Sequence, residues 1–287
     1  MRIVLIFVLI IIIGITSNTA LAGWVISEVS YDKFGNRQFQ TTFIQNNLIR
    51  YETESSVAII NLNSGEITLL FGMYKLYWQG SIEEFKKGTL EVFEKKLLKM
   101  IETAEPDQRE VAIDLIAEMR KGLVAKEMDT ISDNLNLTII RTDIIENIAG
   151  FNAFKYNIAI EDSVVESIWI TDSINPYIDI DIESMISFTN ELKPNKDRND
   201  IDGSSEYLKL INKGLAVKSQ ERNPHGGYYT TEITHIIETQ INDEIFQYPP
   251  NYRKALLTEI MLIKESNIDQ YNLKQNFQRA KDNPLYD

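Results

Sequence analysis

Two histidines are the candidate general bases in this sequence. His225 lies in the segment NPHGG, and His235 lies in TEITHIIET, where strand alternation predicts that it shares a face with Ile233 and Ile237. Neither is accompanied by the G-x-S-x-G motif that places a nucleophilic serine on a sharp turn. We therefore expect a solvated turn residue at 225 and a strand-face residue at 235, without a catalytic role for either.

Carboxylates are abundant, with 42 Asp and Glu residues, and one segment, NDIDGSSE, resembles a calcium-binding loop. Aligning Gly203 with the glycine of such a loop puts Arg198 at the first ligand position and Lys209 at the position of the bidentate glutamate. A cation cannot be coordinated by two basic side chains. The sequence therefore predicts no calcium site at this segment.

Asp179, Asp181 and Glu183 alternate, so an extended backbone would place them on one face. A solvated edge or a helix cap is the favoured interpretation of this spacing over a functional cluster. The two carboxylates of a glycosidase are defined by their distance in space, and nothing in the sequence singles out such a pair.

Phosphate-binding and thiol chemistry have no motif in this chain. Neither G-x-x-x-x-G-K-[ST] nor G-x-G-x-x-G occurs. The sequence contains no cysteine, which excludes disulfides, thiolate metal ligands and cysteine nucleophiles. We therefore predict that the protein is not an enzyme and that it uses no cofactor and no metal.

The N-terminal segment MRIVLIFVLIIIIGITSNTALAGW has the layout of a secretory signal peptide. Arg2 precedes an apolar run from Ile3 to Ile15, which is shorter than the ~20 residues of a membrane-spanning helix. We expect cleavage after Ala22, no stable transmembrane span afterwards, and an exported protein. A periplasmic location is favoured, and an extracellular one is the alternative.

The formal net charge of −13 argues against binding to nucleic acid, because such binding depends on Lys and Arg replacing counterions at phosphates. The absence of a flexible linker composition favours one mature domain. We predict a signal peptide over residues 1–22, a single domain over 23–265 with a helical insertion over 81–123, and a polar C-terminal tail over 266–287.

Short apolar and β-branched runs separated by polar turns predict strands in both halves of the chain. Short connections in the first half, such as Asn63-Ser64-Gly65, predict an antiparallel meander. Predicted strands cover 24–31, 38–45, 47–53, 57–62 and 66–71, then a strand from Met73, and later 136–142, 150–160, 164–171, 215–222 and 228–241.

Helical periodicity begins at Ser81, which forms a capping box with Glu84. Apolar residues then recur at three- and four-residue steps through two successive helices, which end near Leu123. Further helices are predicted over 183–192, 205–213 and 252–265. Since an amphipathic helix buries its apolar face, we expect the insertion to cover the sheet.

Several stretches together resemble the LolA/LolB-like superfamily of lipoprotein carriers, and its uncharacterised periplasmic members above all. They are IINLNSGEITLL with the following Tyr-Lys-Leu-Tyr-Trp, then GFNAFKYNI, SIWIT, and a final strand that leads to FQYPPNY. The resemblance implies an α+β fold. Its strongly curved antiparallel sheet would form an incomplete β-barrel whose concave side is covered by helices, a side that accepts acyl chains in the carriers.

Two hypotheses follow for function. In the first, an exported non-enzymatic protein binds a lipid or lipoprotein acyl chain inside the half-barrel. In the second, it is a protein-interaction or envelope-stress module that contacts another envelope protein and has no small-molecule ligand. For the first hypothesis, alternation selects apolar lining candidates, although the same residues would equally pack as core. These candidates are Ile60, Leu62, Tyr74, Leu76, Trp78, Phe154, Tyr156 and Trp169, with Leu70 on the same predicted face.

Overall fold

The structure is a computed structural model that describes residues 22–102, 109, 113–114, 116–117, 137–192, 201, 204–223 and 226–261. Several predicted features lie wholly or mostly outside these residues. They are the signal peptide, most of the second helix of the insertion, the calcium-like segment, His225, the end of the predicted C-terminal helix and the polar tail over 266–287.

In the described part of the chain, twelve strands form one open sheet in the order β12-β6-β5-β4-β3-β2-β1-β11-β10-β9-β8-β7. Every neighbouring pair is antiparallel except β12 with β6. The strands are β1 (Gly23–Tyr31), β2 (Arg37–Gln45), β3 (Leu48–Thr53), β4 (Val57–Asn61), β5 (Glu66–Phe71), β6 (Leu76–Ser81), β7 (Leu137–Ile148), β8 (Phe151–Ile160), β9 (Ser163–Thr171), β10 (Leu215–Arg222), β11 (Tyr228–Thr239) and β12 (Arg253–Lys254).

Within the described residues, the α-helices that accompany the sheet include α1 (Ile82–Ile101), α2 (Ile182–Leu192) and α3 (Ser205–Ile211). Residues 257–261 are also helical. Short 3-10 helices span Gly72–Tyr74, Pro176–Asp179 and Asp243–Phe246. Within the described part of the chain, none of the helices combines the length and apolar character that crossing a membrane requires.

The predicted meander is confirmed, since β1 to β6 are consecutive in the sheet. The tight connection between β4 and β5 forms because Asn61 Oδ1 accepts hydrogen bonds from the backbone of Asn63 and Ser64, and Gly65 takes a φ of +67°. The strand predicted from Met73 starts later, because the chain first makes a 3-10 turn and passes through a left-handed conformation at Lys75.

Both faces of the meander are buried. Ile44, Ile49, Ile60 and Ile67 are successive cross-strand partners, so their side chains share the first face of the sheet. On the second face, a separate core surrounds Ile59, Leu70 and Tyr77 and is covered by Ile241 and Phe246 from the segment after β11. The ring of Tyr248 from the same segment stacks on Tyr77 with 3.9 Å between ring centroids. Leu70 therefore lies on the opposite face to the one predicted.

The far end of the sheet bends back over the first face. β7 is four positions away from β11 in the sheet, yet the two strands contact each other. Ile148 of β7 and Ile233 of β11 belong to one buried cluster with Trp169 of β9. The sheet therefore buries part of its first face against itself.

The predicted fold class, an incomplete barrel whose concave side is covered by helices, is wrong. The sheet is an open twelve-stranded ladder, and the helices within the described residues cover little of it. The main contacts of α1 are with β5, β6 and α2. Among the described side chains of α1, those of Ile82 and Val92 are buried. Periodicity predicted that helix and its capping box correctly, but the extent of sheet that a helix covers depends on contacts that periodicity does not encode.

Candidate functional site

The predicted lining residues on β6 are core residues. Leu76 and Trp78 are buried, with 7% of Trp78 exposed, in a cluster that includes Ile82, Leu257 and Ile260. The Trp78 and Phe85 rings lie 5.9 Å apart. The start of α1 and the helical residues 257–261 therefore lie directly on this strand.

The other predicted lining residues of the meander differ in burial. Ile60 and Leu62 are partly buried between the two clusters of the first face. Tyr74 is 38% exposed, because it belongs to the 3-10 turn and not to a strand. The structure does not bring Tyr74 together with the others.

The three predicted aromatic residues in the second half lie on opposite faces of the sheet. Tyr156 and Phe154 pack in a cluster with Leu210 of α3, whereas Trp169 packs with the first-face core. Cationic side chains lie over the Trp169 ring, with the ammonium nitrogens of Lys155 and Lys218 at 4.8 and 4.7 Å from its centroid. None of the eight predicted lining residues contributes to the two cavities described next.

An outer groove of about 180 Å³ lies between α2 and α3. Its α2 residues recur at three- and four-residue spacing and therefore form one face of that helix. The groove is predominantly apolar. It is lined by Ile182, Met185, Ile186, Thr189 and Asn190 of α2, by Tyr207, Leu208, Ile211 and Asn212 of α3 and its end, and by Tyr177.

An inner cavity of about 160 Å³ lies between the first face of the sheet and the segment that leads into α2. It shares Tyr177 and Met185 with the outer groove, so these two side chains stand between the two spaces. Its wall is half polar. The polar members are Glu28, Gln40, Thr42, Tyr51 and Tyr177, and the apolar ones include Ile26, Ile44, Ile49, Ile180, Leu215 and Ile233.

Side-chain and backbone hydrogen bonds fix the segment that carries Tyr177. Asn175 Oδ1 accepts from the Tyr177 backbone at 3.2 Å, and the β2–β3 turn holds the segment's end, where Asn47 Oδ1 accepts from the Asp181 backbone. Asp181 in turn caps α2, accepting from the backbone and hydroxyl of Ser184. These hydrogen bonds lower the pKa of Asp181, and the bond from the Ser184 hydroxyl has the largest effect. The helix-cap interpretation of this acidic residue is thereby confirmed.

Glu28 is the charged group of the inner cavity. Gln40 Nε2 donates to Glu28 Oε1 at 2.8 Å, and none of the described residues that line either cavity is Lys, Arg or His. Among the described residues no cation forms an ion pair with Glu28. Burial raises the pKa of the Glu28 carboxyl above its ordinary value, because the charged form loses hydration without gaining a counterion.

The two tyrosines of the inner cavity are strongly desolvated. Burial, with smaller contributions from Tyr177 and Glu28, raises the pKa of Tyr51 to about 12. Burial and then Glu28 also raise the pKa of Tyr177. Neither hydroxyl forms a hydrogen bond with another residue in the described part of the chain. The wall of the inner cavity thus combines one carboxyl and two tyrosine hydroxyls with apolar side chains.

Residues 28, 40, 51 and 177 were not among the candidates from sequence. Glu28 follows Trp24 and Ile26 at alternate positions of β1, and this change from apolar to acidic is the signal that was available. The predicted face of His235 is right with respect to Ile237 and wrong with respect to Ile233. A β-bulge shifts the register of β11, so His235 is exposed although Ile233 is buried. Throughout the described residues, no group of three acidic or histidine side chains could bind a metal ion.

No protein-family model matches the chain, and no curated protein matches it. Solved structures with similar folds include an uncharacterised conserved protein from Thermus thermophilus, at 7% identity and a TM-score of 0.39, covering 87% of this chain and 98% of that one. A chain of the Pseudomonas aeruginosa MucA/MucB complex has 8% sequence identity and a TM-score of 0.35, and the match covers 81% of this chain. The structure of PNGF-II has 11% sequence identity and a TM-score of 0.34, and the match covers 85% of this chain.

The chain spans 57% of that MucA/MucB chain and 33% of PNGF-II. The likeness is one of fold alone. At TM-scores below 0.5 it carries no argument about family, ligand or partner.

Proposed function

We propose that this protein is an exported, non-enzymatic binding protein that holds an apolar chain, such as the acyl chain of a lipid or lipoprotein, in the outer groove. The site differs from the half-barrel interior expected from sequence, because the residues selected there are packed or exposed. The observation that carries the proposal is a mainly apolar groove between α2 and α3 that meets a partly polar cavity at Tyr177 and Met185.

The size and chemistry of the groove support this function. Binding sites for small molecules are mostly apolar with a few polar groups that fix orientation. The outer groove has a volume of about 180 Å³, a little above the ~150 Å³ of an apolar cavity that accommodates benzene. The inner cavity, which contains Glu28, lies on the other side of Tyr177 and Met185. The proposed ligand is therefore a short apolar chain with a polar end.

The export part of this proposal rests on the layout of residues 1–22. A periplasmic location follows if the chain comes from a bacterium with two membranes. The non-enzymatic part rests on the sequence, which contains no cysteine, no G-x-S-x-G motif and no phosphate-binding motif.

Blocking the groove tests the proposal. Ile186 lines the groove on α2, whereas the neighbouring Ser187 is exposed and lines neither cavity. We expect Ile186→Trp to abolish saturable binding of a neutral naphthalene fluorophore and to remove any lipid that co-purifies with the protein in native mass spectrometry. The matched Ser187→Trp variant should bind like the unmodified protein. Equal binding by the two variants, or none by the unmodified protein, contradicts the proposal.

A second function, a protein-interaction module, is favoured by the edge strand β7. In the described range, β7 pairs with β8 and has no strand on its other side. Ile140 is 53% exposed there, and Ile145 is 55% exposed. Irregular pairing between Arg141 and Ile145 interrupts the strand and leaves its first part, through Arg141, as a regular edge. An extended segment of a partner protein would add to this edge as a further strand.

Lysine substitution on β7 tests this second function. Ile140 and Thr138 alternate onto the same side of the strand, and both are exposed. We expect Ile140→Lys to weaken capture of an envelope protein partner, while Thr138→Lys, which adds the same charge, leaves capture in place. If both variants retain the partner, the edge is not the contact surface.

A further inference from the structure

The inner cavity contains a carboxylate that has no counterion within the described part of the protein. Glu28 Oε1 accepts one hydrogen bond, from Gln40 Nε2, and the remaining acceptor positions of the carboxylate are not used by any described residue. Glu28 is partly buried, and a partly buried charge that lacks a counterion is unfavourable. A ligand that brings a positive charge would remove that penalty, whereas an anionic ligand would increase it.

The tyrosines complete a site of defined chemistry. Tyr51 and Tyr177 line the cavity with Glu28, and each is near enough to it for the carboxylate to raise its pKa. Their hydroxyls have lone pairs available to an N–H donor, and the faces of their rings attract a cation. Two aromatic rings and a carboxylate are the elements with which proteins recognise ammonium groups.

No other charged group competes at this position among the described residues. The wall of the inner cavity contains Glu28 and no second ionised side chain at neutral pH, since Tyr51 and Tyr177 stay protonated. The protein as a whole carries a formal charge of −13, which favours the approach of cations over that of anions.

We infer that the inner cavity recognises a protonated primary amine, through Glu28, Tyr51 and Tyr177, and that the ligand of this protein is an amine with an apolar chain. This inference rests on the proposed function, because the chain of such a ligand would occupy the outer groove. It adds the chemical class of the head group. Fatty acids and neutral lipids share the chain but not the charge.

A series with one chain and three head groups separates the two proposals. We expect the purified protein to bind octylamine at least roughly tenfold more tightly than octanol at pH 7, and octanoate more weakly than either, in isothermal titration calorimetry. In Glu28→Gln the preference for octylamine over octanol should disappear, while octanol affinity is retained. Glu221→Gln, which removes an exposed charge from β10, should keep the preference.

The outcomes are distinguishable. Equal affinity for octylamine and octanol, or tighter binding of octanoate, overturns the amine inference and leaves the groove as a binding site. Binding of none of the three compounds overturns the proposed function as well. If Glu28→Gln folds poorly, Tyr177→Phe serves as the second variant. It should lower the ratio of octylamine affinity to octanol affinity, and an unchanged ratio counts against the inference.

Discussion

Gln40 Nε2 donates a 2.8 Å hydrogen bond to Glu28 Oε1 across the paired strands β1 and β2, where Glu28 and Gln40 are direct cross-strand partners. An amide can neutralise one acceptor position of a carboxylate but not its charge. The pair therefore orients Glu28 toward the inner cavity and leaves its charge uncompensated. A bound cation would compensate the charge of Glu28 and so stabilise the folded protein.

Glu28→Gln should stabilise the protein at neutral pH. The pKa of Glu28 is raised above its ordinary value of 4.5 in the folded state, so its favourable contribution is fully present below pH 4.5 and is lost as the pH rises through the folded pKa. Glutamine carries no such penalty. At pH 7 we expect the melting temperature of the variant to exceed that of the unmodified protein by a few degrees in calorimetry.

The same comparison at low pH is the control. As the pH falls below about 4.5, Glu28 becomes protonated in both the folded and the unfolded states, and the difference in melting temperature should shrink toward zero. A difference that is independent of pH would assign the effect to packing and not to charge.

Tyr51→Phe should reduce the loss of folding stability at alkaline pH. Because the folded pKa of Tyr51 is about 12 and its ordinary value is 10.0, the unfolded chain releases this proton first, and stability is lost as the pH rises from 10 toward 12. The loss due to this residue is on the order of 2 kcal/mol. We expect the free energy of unfolding of Tyr51→Phe, measured with urea, to fall less steeply across that interval.

A tyrosine outside the cavity provides the control for this measurement. Tyr229 on β11 is exposed. Tyr229→Phe should follow the pH dependence of the unmodified protein, and a matching change in both variants would contradict the placement of Tyr51 in a desolvated site.

Trp78→Ala should destabilise the protein without altering the ligand site. Trp78 packs against Ile82 and Leu257 and lines neither cavity, so removing its ring creates a void that we expect to reduce the free energy of unfolding by about 3–5 kcal/mol. Affinity for the neutral fluorophore, measured under conditions where the variant is folded, should stay the same. Loss of binding by the folded variant would return the site to the location predicted from sequence.

The start of α1 offers a local test of helix capping. Ser81 Oγ accepts from the Glu84 backbone at 3.2 Å, and Glu84 Oε2 accepts from the Ser81 backbone at 2.8 Å. Ser81→Ala removes the first bond and should reduce stability by about 1 kcal/mol in denaturant unfolding. Ser81→Asp keeps an acceptor at the same position, and its stability should remain close to that of the unmodified protein.

Local signals in the sequence were sufficient for most of the elements. The turn at Gly65 and the capping box at Ser81 depend on residues within a few positions of each other, and both were predicted. The bounds of β4, β5 and α2 differ from the predicted ones by a residue or less at each end. Turn and cap chemistry act through neighbouring backbone groups, and therefore the sequence alone encodes them.

Contacts between distant segments were beyond local patterns. Leu70 was assigned to the wrong face because the 3-10 turn before β6 breaks the continuity on which alternation depends. The inner cavity brings together Glu28, Tyr51 and Tyr177 from three separate segments, and their proximity depends on how the Pro176–Asp179 turn is held on the β2–β3 turn. Nothing in the spacing of these residues along the chain predicts that meeting.

The pairing of β1 with β11 also bears on how the molecule reaches its native state. Gly23 of β1 pairs with Thr239 of β11. The pairing that joins the two halves of the sheet can therefore form only after β11 has been synthesised. Contacts between residues so far apart in sequence slow folding, because a large loop must be closed first. Until then β1 exposes an unpaired edge, and such an edge favours association between partly folded chains.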